Sequence, residues 1–132
     1  MKITVKISLQ SDGDFSLNYD RFKKDISGLY EYEEICSQTE KNISNSEDLS
    51  LTISFINNDP SKCRARADTL LSSVLTNIHV IYTHYYVLED LFNAFDGAIR
   101  AIYTGENYYN SISGNYDGTD VEVIFEEEYK NE

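Results

Sequence analysis

Between residues 70 and 103 apolar side chains recur with an almost heptad rhythm, at positions 71, 75, 78, 82, 85, 88, 92, 95, 99 and 102. That spacing predicts an amphipathic helix. Asp59-Pro60 supplies its start, an N-cap carboxylate followed by a proline whose missing N–H is no loss in a first turn. Drawn unbroken from 61 to 103, the helix would run on the order of 65 Å at about 1.5 Å per residue, against about 30 Å across a small domain. It must therefore bend or break near Asn77–His84, where the run "IHVIYTHYY" has more strand than helix propensity, or project and pack on another subunit. A second apolar row, Val80, Val87, Leu91, Ala94, Ala98 and Ala101, makes the helix apolar on nearly all sides. One sheet cannot cover both rows, which predicts a homodimer or larger assembly.

Three other segments alternate with period two: Ile3, Val5, Ile7 and Leu9; Leu49, Leu51, Ile53 and Phe55; Val121, Val123 and Phe125. Each reads as a strand with one buried and one wet face, the pattern of an antiparallel sheet covered by helices on one side. Tyr19, Phe22, Ile26 and Leu29 fit a short helix that Gly28 would end, while "LYEYEEICS" is ambiguous between loop and strand. The stretch "TGENYYNSISGNYDGTD" reads as a turn-rich return to the last strand. The expected fold is one α+β domain over 1–132, with an acidic tail from about 126. It is a small two-layer arrangement of mainly antiparallel sheet on one long helix, continuous or interrupted, plus the short helix. The element order is β-α-β-α-β with room for one more strand, and 132 residues suffice for one core.

Residues 69–88 carry no formal charge and are long enough to span a bilayer. Asn77, His79, His84 and the hydroxyl side chains would each need a partner in hydrocarbon, so a core helix is the reading and no membrane is expected. The alternating N-terminus is unlike a signal peptide. Cys36 and Cys63 are far apart without CxxC spacing and read as reduced thiols, which fits the cytoplasm.

The net charge of −12 is unevenly spread: 25–59 and 101–132 each sum to −7, residues 1–24 to +2 and 60–100 to zero. Acid concentrates in "EYEE", with Glu31, Glu33 and Glu34 beside Tyr30 and Tyr32, and in Glu126, Glu127 and Glu128 beside Tyr129. Such runs can be plain solvated surface. They also suit a partner with a basic surface, charge speeding encounter and tyrosines supplying contact area. With 11 cations against 23 acids, direct nucleic-acid binding is disfavoured, because that affinity comes from cations displacing phosphate counterions. The partner can itself bind nucleic acid, a nuclease for example. Immunity and phage anti-defence proteins act in this way as acidic inhibitors or nucleic-acid mimics, an analogy of composition that no motif here sharpens.

Catalytic patterns are absent from the sequence. His79 and His84 are five apart and would diverge by roughly 140° on a helix, so they make no one-face zinc pair. "DGDFSLNYD" mimics a calcium loop but has Leu17 where glycine is needed and Lys23 where the closing glutamate belongs. No catalytic residue, metal or cofactor is expected.

Lys62, Arg64 and Arg66 crowd the start of the long helix, where the helix dipole is already positive. They either reach the chain's own carboxylates, such as Glu31–Glu34, or, with Arg100 and stacked Tyr85 or Tyr86, hold an anionic nucleotide-like ligand. The expected function is a noncatalytic acidic inhibitor that occupies a basic, nucleic-acid-handling site on another protein. The alternatives are a small oligomeric module for an anionic ligand, and a structural subunit.

Overall fold

The computed structural model describes residues 1–11, 15–27, 35–45, 48–80, 85–113 and 117–126. The alternating segments become β1 (Lys2–Ser11), β4 (Asp48–Ile56) and β7 (Asp117–Glu126), which lie side by side with β1 in the middle. β3 (Ile35–Asn45) and β6 (Tyr108–Ser113) complete a five-stranded sheet of order β3-β4-β1-β7-β6, antiparallel throughout. Because side chains alternate across a strand, the register sets Ile3 beside Phe55 and Phe125, and Val5 beside Ile53 and Val123. Ile3, Val5, Ile7, Leu9, Leu49, Leu51, Ile53, Phe55, Val121 and Val123 form the buried face. Burial stabilises by about 1.5–3 kcal/mol for each large apolar side chain.

Helices cover that face. α1 (Tyr19–Ser27) inserts Phe22 and Ile26 and packs on α2 (Pro60–Asn77). α2 lies against β1 and β4, and α3 (Tyr85–Thr104) against β6 and β7. The start of α2 follows the sequence: Asp59 is extended and its Oδ1 accepts from Ser61 N–H at 2.9 Å, with Pro60 in the first turn. The long apolar pattern does break where strand propensity takes over. α2 ends at Asn77, and Ile78–Val80 form β5, paired with β2 (Phe15–Leu17) in a separate two-stranded ribbon. Leu29 and most of "LYEYEEICS" lie outside the described residues, but its end, Ile35 onward, is strand.

Three expectations need correction. The turn-rich return contains β6, which forms a hairpin with β7, so there are seven described strands where three or four were expected. His79 sits on β5 and not on a helix, so the argument from helical angle does not apply to it. The second apolar row needs no other copy for cover at its C-terminal half, since Leu91, Ala94, Ala98 and Ala101 are buried within one chain. α3 is rotated so that 91, 94, 95, 98, 101 and 102 form the inward stripe, while Phe92 of the first, near-heptad row is 44% exposed. Among the described residues no helix is long and apolar enough to cross a membrane.

Candidate functional site

The open face of the sheet is built from the even positions of β1, β4 and β7. Lys2 stands opposite Glu126 and Lys6 opposite Glu122, each pair with N···O at 3.8 Å. Thr4 and Ser54 are shut from solvent on this face and bond each other at 2.9 Å. Toward the other end the face dips into a shallow concavity of about 270 Å³, lined by Lys6, Ser8, Ser50, Thr52, Asp120, Glu122 and Tyr109. Tyr109, on β6, donates its hydroxyl to Asp120 Oδ1 at 3.2 Å and is 62% exposed. Strand alternation thus carries Asp120, Glu122 and Glu126 onto one surface. The sequence pointed to Glu126 but gave no reason to choose Asp120, Glu122 or Tyr109, because the pairing of β6 with β7 gathers them.

Glu126 is exposed at the end of β7. Tyr30, Glu31, Tyr32, Glu33 and Glu34, and likewise Glu127, Glu128 and Tyr129, lie outside the described residues.

The basic cluster disperses. Arg66 Nη1 donates to the Lys62 carbonyl at 3.4 Å, Arg100 pairs with Asp96 one turn away at 3.0 Å, and Lys62 is exposed. Arg64 extends to the far end of α3, where its Nη2 would stand 3.2 Å from a Cβ on Gly105. Gly105 has φ +76 and closes the helix by donating its N–H to Ala101 O at 2.8 Å. Helix α3's last carbonyls carry partial negative charge, so that end of α3 is a more favourable place for a guanidinium than the start of α2. Tyr85 and Tyr86 open α3, with side chains outside the described set. Six of the 11 cations, Arg21, Lys23, Lys24, Lys62, Arg64 and Arg66, fall on α1 and α2 and so on the helical side of the sheet.

A second groove, of about 240 Å³, runs past α1 and α2 between Asp25, Asp68, Thr69, Ser72, Ser73 and Thr76. Its hydroxyls are engaged locally: Thr69 donates to Ala65 O, Thr76 to Ser72 O, and Ser72 to Asp68 Oδ1. Tyr103 donates to Asp68 Oδ2, and this bond, with the charge behind it, holds the phenol above its ordinary pKa. Asn77 joins Asp25 Oδ2 at 2.9 Å to Ser73 O at 2.7 Å.

Cys63 is buried, with Sγ 3.6 Å from the carbonyls of Met1 and Phe55. Burial raises its pKa, against smaller opposing effects of the N-terminal charge, a backbone hydrogen bond of Asn57 and the charge of Arg66. That is the setting of an inert structural thiol. Among the described residues no group of three His, Cys, Asp or Glu side chains is placed to hold a metal ion. Comparison with protein-family models, with curated proteins and with solved structures returns no match.

Proposed function

We propose that this chain is a noncatalytic cytoplasmic binding protein that lays the open face of its sheet on a basic surface of another protein. In doing so it occupies a site that handles nucleic acid. The observation that carries this reading is the row Asp120, Glu122 and Glu126 on the sheet face opposite the helices, beside an exposed Tyr109. The ion pairs of Glu122 with Lys6 and of Glu126 with Lys2 are long, at 3.8 Å, and each has one exposed and one half-buried partner, so each is worth about 1 kcal/mol and a partner's arginines can take their place at small cost. The overall charge of −12 draws a basic partner in from a distance, and the tyrosine supplies rigid contact area once it arrives.

The test is association kinetics with the protein captured from cells. Reversing Asp120 and Glu122 to Lys, or Glu126, Glu127 and Glu128 to Lys, should slow association and flatten its salt dependence. Alanine at Lys62, Arg64 and Arg66 should leave both unchanged, and nucleic acid should compete for the partner. Wild-type association rates in both acid-reversal variants at low salt would remove the reading.

A further inference from the structure

The sheet has two edges, and they differ in kind. β3 carries Glu40 and Lys41, and its pairing with β4 shifts register twice, between Ile35 and Thr39 and between Asn42 and Asn45. Charge and bulges are how natural sheets blunt an edge against further strands. β6 has neither device. Its sequence, YYNSIS, holds no charge and no proline, and its six residues pair with β7 in unbroken register from Tyr108–Val123 to Ser113–Gly118. Among the described residues no strand pairs with its other side.

The direction of the ladder can be read from Asn107. Its side-chain oxygen, just before β6, accepts from Phe125 N–H at 2.8 Å, so the odd residues of β7 turn their backbone groups toward β6. Their partners Tyr108, Asn110 and Ile112 therefore face inward, and Tyr109, Ser111 and Ser113 turn their N–H and C=O groups out along the free edge.

We propose that this edge pairs with the same edge of a second copy of the chain. An antiparallel pairing about a two-fold axis at Ser111 sets Tyr109 opposite Ser113 of the second copy and Ser111 opposite itself, and each outward backbone group gains a partner. A homodimer of a chain with charge −12 needs a contact that opposes no like charges, and β6 meets itself without any. Leu91, Ala94, Ala98 and Ala101 of the second row on α3 do not serve instead, since they are already covered. Six residues of edge make a small contact, so the dimer is reversible. Because the two copies repel through their net charge, it tightens as salt rises, opposite to an interface held by ion pairs.

Sedimentation of the full chain up to about 300 µM tests this, a range suited to weak, transient contacts. The mass should climb from 15.2 kDa toward twice that value, and climb further in higher salt. Ser111→Pro removes an outward N–H that β7 does not use, and should give a folded monomer. Ser111→Lys and Ser111→Glu should each be monomeric alone, yet dimerise when mixed in equal amounts, because only an interface pairing residue 111 with itself turns opposite charges into a contact. Circular dichroism confirms folding; should Ser111→Pro unfold, the mixing experiment decides. A wild type that stays at 15.2 kDa throughout, or a dimer that Ser111→Lys leaves intact, overturns the proposal.

Discussion

The ring of Tyr108 lies where a side chain on Gly97 would begin: a Cβ there would meet the tyrosine hydroxyl at 2.5 Å and ring carbons at 2.7 and 2.8 Å. A glycine inside a helix usually costs about 1 kcal/mol relative to alanine. Here it lets β6 approach α3 closely enough for an aromatic ring to close the gap.

Gly97→Ala should therefore destabilise by about 1 kcal/mol or more, the cost of displacing the ring exceeding the gain in helix propensity. In a Tyr108→Ala background the same substitution should stabilise, by up to about 1 kcal/mol. Denaturant midpoints of the four proteins close the cycle, and additive effects would mean the ring moves aside freely.

Tyr103 should titrate above its ordinary value of 10.0, because Asp68 accepts its proton and repels the phenolate. A pKa raised by folding adds stability that is fully present below the unfolded value and is lost as pH rises through the folded one. Asp68→Asn should lower the Tyr103 pKa and remove that alkaline loss. Tyrosinate absorbance compared with Tyr103→Phe isolates the one phenol among 11.

Cys63 should resist alkylation in the native protein and react readily once unfolded, since burial keeps its thiol protonated above the usual 9.0 and shut from reagent. By the same sign rule its contribution to stability holds below the unfolded pKa and fades as pH climbs past the folded one. Labelling rates in a Cys36→Ser background, native against denatured, give the measurement. Rapid native labelling would show that the first turn of α2 opens.

Asn77 is 4% exposed and donates to both Asp25 and the Ser73 carbonyl. Asn77→Asp would replace that donor with a carboxylate facing two acceptors, at a cost of about 3 kcal/mol at neutral pH. Folding raises the new group's pKa, so its penalty shrinks as pH falls and the protonated form can donate again. Denaturant midpoints near pH 7 and about pH 4.5, each against wild type, should show the gap narrowing.

The sequence by itself determined the faces of β1, β4 and β7, the start of α2 and the region where the long apolar pattern breaks. Each of these depends on residues within one turn or one strand: alternation across a pleat, the Asp59 carboxylate on Ser61 N–H, β-branched side chains after Asn77. What the tertiary structure alone decided depends on partners distant in the chain. Ile78–Val80, strand-prone in sequence, finds its ladder only because Phe15–Leu17 lies beside it. Tyr108–Ser113 is a strand because Val121 and Val123 offer a ladder, although its serines and asparagine read locally as loop. The same pairing turns α3 so that Ala94, Ala98 and Ala101 meet the interior, which a helical wheel cannot foresee when both of its rows are apolar. It also collects Tyr109, Asp120 and Glu122 on one surface. Periodicity reports how a segment faces a core, but which segment stands opposite is set by closing long loops around that core, and that information is not local.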